Sequence, residues 1–320
     1  MTKVNKKENE RRIANRASRV LPEGSLGNLN YDLIIERGKG SHVWDESGNE
    51  YIDYRLAFGP VILGYADTRV DDAVREGIKI GGVFGLATEL EYEVANRVSR
   101  MVPAAELIRF SNSGTEAVMA ALRVGRAYSK RDGYIMIEGG YHGVSDSVLW
   151  DVDLDEWDPK QGDPKVKPTS HGVPNRIREM ITMVPMNDAN RLEDVLKKKH
   201  NEIGTLLIEP ILGNCCSIAA DPEYIKAVRS LCDRYNIVMV IDEVKTGFRV
   251  AKGGVQELYG IEADICTFAK SIANGYPIAA ICGKEDLMRS IKYGGVLHGG
   301  TFTAHSVAIS AAKKHWRLLN

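Results

Sequence analysis

Residues 106–140 read "ELIRFSNSGTEAVMAALRVGRAYSKRDGYIMIEGG". A short apolar run, "ELIRFSN", gives way to a polar break with a glycine. An amphipathic stretch, "TEAVMAALRVGRAYSKR", follows, and then a second apolar run, "YIMIEGG". A strand, a helix and a strand in that order leave the two strands parallel, because only a long crossover can bring the chain back to start again on the same side. The texture continues through "TLLIEPI", "IVMVIDEV", "DICTFAK" and "IAAICG", with a second helical pattern in "PEYIKAVRSLCDRYN". Near-continuous apolar strands separated by helices predict an α/β fold, a mostly parallel central sheet with helices on both faces. In such a sheet, ligands are met beyond the carboxyl ends of the strands.

The first hundred residues differ. "YDLIIERGKGSHVWDESGNEYIDYRLAFGP" alternates apolar and polar residues between glycines, which predicts a small antiparallel β-meander ahead of the main sheet. Residues 151–176, rich in proline, aspartate and lysine, show no period and read as a long loop, either over the site or merely solvated.

The chain has 42 basic and 43 acidic residues, a formal net charge of -1, and those charges are mixed along its length. No extended field favours nucleic acid or an anionic membrane, so small neutral or zwitterionic partners are expected. The five cysteines include no C-x-x-C pair that would suggest a metal or redox site, and most lie in apolar surroundings, as reduced core thiols would. The N-terminal twenty residues carry charge throughout and lack the apolar core of a secretory signal, so a cytoplasmic protein is expected.

With the sheet in place, the residues just after each strand can be read as a site. After "ELIRFSN" comes "SGTEA", where Ser113, Gly114 and Thr115 open a helix with hydroxyls and free N–H groups suited to a phosphate; a simple capped helix would read the same. After "YIMIEGG" come Tyr141, either a plate for a flat ligand or a core ring, and His142, a site or structural histidine. Asp242 follows five apolar residues, and a carboxylate so placed needs a partner, either a protonated ring nitrogen or a neighbouring lysine or arginine. Glu209 poses the same question after "TLLI", and Asn214 follows five residues on. Lys270 ends "DICTFAK"; a lysine partly withdrawn from water keeps a larger fraction of neutral, nucleophilic amine, the condition for a Schiff base. Phosphate cup, aromatic plate, buried carboxylate and strand-end lysine together fit pyridoxal phosphate.

The order and wording of these segments resemble the class III pyridoxal-phosphate aminotransferases, within fold-type I, and especially the glutamate-1-semialdehyde 2,1-aminomutase branch. The resemblance runs from about residue 15 to about 310, through "RFSNSGTEAVMAALRVGRAYSKRD", "EGGYHG", "IEPILGN", "IDEVKTGFRVAKGGVQELYG", "FAKSIANGYPIAA" and "GGTFTAH". It implies that Lys270 is the Schiff-base lysine and the acid/base. Asp242 holds the pyridine nitrogen protonated, and Val244 and Tyr141 pack on the two ring faces. Ser113, Gly114 and Thr115 take the phosphate, His142, Glu209 and Asn214 line the cofactor pocket, and Thr301 reaches the phosphate of the other subunit of a homodimer.

The same resemblance implies an N-terminal segment over residues 1–65, a large cofactor domain over 66–310, and at 311–320 the start of a C-terminal domain that the chain does not continue into. Where the aminomutase has an arginine-containing stretch for the substrate carboxylate, this chain reads "LPEGSLGNLNYD". The expected function is therefore an aminotransferase moving an amino group from an amino acid or amine to a keto acid. The aminomutase, and a weakly active cofactor-binding or regulatory chain, are the alternatives.

Overall fold

The computed structural model describes residues 6–22, 33–154 and 165–318. Helix α1 (Lys6–Ala17) is followed by the antiparallel strands β1 (Ile35–Lys39), β2 (His42–Asp45) and β3 (Glu50–Ile52), the predicted meander. The Asp45 carboxylate closes the β2–β3 turn by accepting from the N–H groups of Ser47 and Asn49 and from the Tyr51 hydroxyl. Helices α2 (Thr68–Ile80) and α3 (Glu89–Met101) start on Asp67 and Thr88, whose side chains each accept a bond from an otherwise unpaired N–H of the first turn.

Strand β4 (Leu107–Ser111), helix α4 (Gly114–Ser129) and strand β5 (Gly133–Ile137) follow, and then β6 (Trp150–Val152), β7 (Val166–Pro168) and β8 (Ile181–Val184). After α5 (Ala189–Lys199) come β9 (Ile203–Ile208), the short β10 (Ile211–Leu212) and β11 (Ile218–Ala219), α6 (Pro222–Tyr235) and β12 (Val238–Asp242). Helix α7 (Gly254–Tyr259), strands β13 (Ile265–Phe268) and β14 (Ala279–Gly283), and helices α8 (Glu285–Met288) and α9 (Ser306–Leu318) complete the described chain.

The central sheet runs β4-β14-β13-β12-β9-β5-β8. Only β14 opposes its neighbours; the other six strands share one direction, so their carboxyl ends meet along one edge. The period-2 geometry of a strand explains how one apolar run serves two cores. Along β12, Met239 and Ile241 enter the core on one face while Val238 and Val240 enter that on the other. Helix α4 covers the second face with Val118, Ala121 and Leu122, and α2, α3, α5, α6 and α9 cover the first. The approach of α4 is close because its buried side is mostly small: a Cβ on Gly125 would fall 2.4 Å from Thr205 Oγ1.

Two elements differ from the sequence reading. Strand β8, "ITMV", was not among the strand candidates; it is a four-residue edge strand that follows directly on the charged turn Asn175–Met180, which blurs its start. The loop read over residues 151–176 contains a two-stranded ribbon, β6 with β7, whose Trp150, Val152 and Val166 are buried. The abundant proline, lysine and aspartate hid that alternation. Residues 155–164 within this loop, and most of "LPEGSLGNLNYD", lie outside the described residues. Three cysteines, Cys232, Cys266 and Cys282, are buried as expected, but Cys216 is exposed and Cys215 half-buried. Among the described residues no helix is long and apolar enough to cross a membrane.

Helix α9, the last described element, packs on α2 and α3 and touches the turn that carries Lys270. Ser306 Oγ donates to Gly77 O at 3.0 Å, and a Cβ on Gly77 would fall 2.7 Å from Ser310 Oγ, so this crossing requires glycine. Trp316 meets Phe248 with ring centroids 5.3 Å apart, and Phe248 meets Phe268 of β13 at 4.9 Å. Beside Trp316, His315 is wholly buried, and burial pushes its pKa down from 6.5 to about 4. Between those two values the unfolded chain binds a proton that the folded chain refuses, so acid destabilises the fold across that window. Urea titrations are expected to show a loss on the order of 2–3 kcal/mol from this group between pH 7 and pH 4. His315→Leu should lose correspondingly less over the same range; parallel pH profiles for the two proteins would refute this.

Candidate active site

A hollow of about 290 Å³ lies at the carboxyl edge of the sheet. Its walls bring together Ser113, Gly114 and Thr115 from the β4–α4 turn, Tyr141 and His142 after β5, Asp242 and Val244 at the end of β12, and Lys270 after β13. Eight of the eleven residues singled out from the sequence therefore border one space.

The β4–α4 turn serves both alternatives read from its sequence. Ser113 is an N-cap in a capping box: its Oγ accepts from Glu116 N at 3.2 Å, and Glu116 Oε2 accepts from Ser113 N at 3.1 Å. That box leaves the N–H groups of Gly114 and Thr115 open at the positive end of a sixteen-residue helix. The Ser113 hydroxyl can still donate its own hydrogen, so capping and anion binding are compatible. Gly143 closes the other side. It has φ +104°, and a Cβ there would stand 2.4 Å from Thr115 Oγ1, while Val144 N donates to the same hydroxyl at 3.2 Å.

Asp242 is 2% exposed, and its partner is neither a lysine nor an arginine. His142 Nδ1 lies 2.8 Å from Oδ2, with the imidazole fully buried. Oδ1 accepts from Val244 N at 2.9 Å and from Thr267 Oγ1 at 3.1 Å. Both oxygens are thus fixed, and the carboxylate borders the hollow.

Glu209 sits behind the wall rather than in it. Its Oε1 accepts from Tyr141 N at 2.7 Å and its Oε2 from Gly213 N at 3.4 Å, so it sets the backbone that carries the tyrosine plate. Burial, reinforced by the charge of Asp242, raises its pKa, and the ammonium of Lys245 at 3.4 Å opposes that shift. Asn214 lies in an adjoining chamber, where its Oδ1 accepts from Lys245 Nζ at 2.9 Å. Thr301 is exposed and does not border the hollow.

Lys270 is half-buried in a tight turn with φ +36°, a left-handed conformation that costs a residue with a side chain about 1–2 kcal/mol. Burial is the main cause lowering its pKa, and the nearby Lys245 ammonium adds to it, against the pull of Asp242 and Glu209. Lys245, Thr267 and Arg249 were missed in the sequence. Lys245 and Arg249 stand in the quoted "IDEVKTGFRV", within seven residues after the Asp242 strand end that could have marked them.

A doubly covered, mostly parallel sheet thus carries a phosphate-sized cup, a buried carboxylate and a desolvated lysine along one edge, an α/β arrangement that fits a phosphate-bearing cofactor. The family model of the class-III aminotransferases matches residues 25–320, and the chain belongs to that family. It is 40% identical over 288 residues to the glutamate-1-semialdehyde 2,1-aminomutase of Sulfurihydrogenibium azorense, an alignment covering 90% of this chain and 66% of that protein. The chain thus spans about two thirds of the length of such curated relatives. An omega-transaminase from Sphaerobacter thermophilus superposes with a TM-score of 0.91 at 30% identity, over 97% of this chain and 73% of that one. A transaminase with PLP bound gives 0.90 at 31% identity, over 98% and 74%.

The tight packing of Gly143 on Thr115 yields a specific expectation. Gly143→Ala, strained at positive φ and in collision with the Thr115 hydroxyl, should destabilise the fold by roughly 1–3 kcal/mol. It should also weaken binding of inorganic phosphate or a phosphorylated ligand at the α4 start. Calorimetric titration and thermal unfolding measure the two effects, and an alanine variant indistinguishable from the parent in both would contradict the assignment.

Proposed function

We propose that this chain uses pyridoxal phosphate to move an amino group from an amino acid or amine to a keto acid, with Lys270 as its nucleophile. The observation that carries the reading is the buried His142–Asp242 pair in the same hollow as Lys270. A carboxylate fixed on both oxygens yet bordering a cavity suits a protonated ring nitrogen, and the donor set at the far side of the hollow suits a phosphate. Bound there, the cofactor supplies a pyridinium ring that takes up the electron pair left when the amino-bearing carbon loses its proton.

The chain's own residues divide the remaining work. The two hydroxyls and two open N–H groups of Ser113, Gly114 and Thr115 hold the phosphate at the helix start. Asp242, braced by His142, Val244 N and Thr267, keeps negative charge facing the ring nitrogen. Tyr141 and Val244 offer apolar surfaces for the two faces of the ring, and Glu209 steadies Tyr141 through its backbone N–H. Lys270, its pKa lowered chiefly by burial, has neutral amine available to attack a carbonyl and afterwards to carry a proton at Nζ. Thr301, exposed on its loop, is assigned to the phosphate of a second subunit in a homodimer.

The second reading is the aminomutase reaction, favoured by the 40% identity to a protein of that name. One isotopically labelled amino donor, incubated with and without α-ketoglutarate, separates the two. Label in glutamate supports the aminotransferase, and label retained in the donor's own carbon skeleton supports the mutase. For the shared chemistry, purified protein mixed with pyridoxal phosphate is expected to gain a visible absorbance band that borohydride removes and that Lys270→Ala lacks. A protein that stays colourless would overturn both readings.

A further inference from the structure

A second carboxylate follows directly on Asp242. Successive side chains of a strand point to opposite faces, so where Asp242 borders the hollow, Glu243 turns away from it and is wholly buried. None of the roles assigned above involves it. Residues 243–253 then run as a loop, with neither helix nor strand, until α7 begins at Gly254. That loop is a shared wall. Val244 borders the hollow, while Lys245, Thr246, Arg249 and Val250 border the chamber of about 890 Å³ beside it.

The Glu243 carboxylate fastens both ends of the loop. Its Oε2 accepts from Thr246 Oγ1 at 2.8 Å, near the loop's start, and from Val255 N at 2.9 Å, where the chain has entered α7. Oε1 accepts from Gln256 N at a longer 3.4 Å. Gly254 leaves room for this closure: at φ +74°, a Cβ there would stand 2.4 Å from each carboxylate oxygen. The Glu243 backbone is held as well, its N–H donating to Thr267 O at 2.9 Å and its carbonyl accepting from Gly247 N at 2.8 Å. A compact loop whose ends meet depends on the contacts at its neck.

No cation balances this carboxylate. Among the described residues no lysine, arginine or histidine pairs with it. Thr246 and Gln256 face it from the loop and from α7, and the Cys266 thiol faces it from β13, opposite Cys282 of β14 and pushed up by burial. Glu257 at the same neck accepts from Gly253 N at 2.6 Å and is exposed; Arg249 is turned to Lys245 O, Gly59 O and Ser271 Oγ. Burial raises the Glu243 pKa from 4.5 to about 7, against the pull of its donors. A charged carboxylate so enclosed is unfavourable, whereas a neutral one keeps Oε2 as acceptor for the two short bonds and carries its proton on Oε1. Opening the neck returns the group to water and to its ordinary range. The closed loop therefore binds the proton more tightly than the open one, and closure weakens as pH rises from 4.5 to about 7.

We propose that Glu243 is a proton-sensitive clasp and a positioning residue: with a neutral carboxyl it holds the loop 243–253 against both cavities, and on ionising it loosens that wall. For what the cavities bind, this rests on the function proposed above; the clasp itself stands on the chain's own contacts.

Hydrogen–deuterium exchange of the full chain at pH 5 and pH 8, corrected for the intrinsic pH dependence of exchange, tests it. The amides of residues 244–255 should lose protection about tenfold or more between the two, while those of β12 hold theirs. Glu243→Gln, neutral at every pH, should keep the low-pH protection at pH 8 and exceed the parent there. A carboxylate that served only as an acceptor would give the opposite, a glutamine variant less protected than the parent at pH 8. Thermal unfolding accompanies each measurement. Should the glutamine variant not fold, Thr246→Val, which cuts one tie to Oε2, replaces it and should lower protection of the loop at pH 5. A parent loop equally protected at both pH values, a glutamine variant that keeps the parent's pH step, or a folded valine variant protected like the parent overturns the clasp. If exchange follows expectation while the parent gains no absorbance band with pyridoxal phosphate, the clasp stands and the proposed function falls.

Discussion

The site depends on one buried contact, the 2.8 Å approach of His142 Nδ1 to Asp242 Oδ2. A carboxylate at the end of a fully buried strand is costly unless each of its oxygens finds a donor. Here the donors come from three places: the turn after β5, the turn after β12 itself, and the neighbouring strand β13. Satisfying Asp242 therefore fixes the relative positions of the segments that also carry Tyr141, Val244 and Lys270. Electrostatic need at one residue becomes geometric order at the others.

Most of the frame was legible in the sequence because it follows from periodicity. Six of the seven sheet strands lie in runs dominated by apolar residues, and the direction of the sheet follows from the helices between them. Strand β8 escaped because it follows directly on the charged turn Asn175–Met180, and the β6–β7 ribbon because charged and proline-rich neighbours masked three buried residues. Strand-end position alone led to Asp242, Lys270 and the β4–α4 turn. What position cannot give is which donor answers which acceptor. The histidine beside Asp242 is a hundred residues away in sequence, and Thr267 is reached only through the pairing of β12 with β13.

Net charge also concealed something. A nearly neutral chain suggested neutral or zwitterionic partners, yet the described wall of the larger chamber holds cations and no carboxylates. Glu209 shows how this separation is built. It withdraws from the cavity to bind backbone N–H groups and the underside of the Lys245 ammonium, leaving the positive ends toward the open space. The aggregate charge of a chain says little about the field in a cavity when folding sorts the two signs into different layers.

Lys270 occupies a left-handed backbone conformation one residue beyond the end of the β13 ladder's buried run. A flexible side chain is ordinarily aimed by its ligand, and the freedom it surrenders weakens binding. Here the direction of the Cα–Cβ bond is set by a strained turn that follows β13 and contacts helix α9. Part of the ordering that a reaction at Nζ requires is incurred when the chain folds, and the helix at the far end of the described chain shares in keeping it.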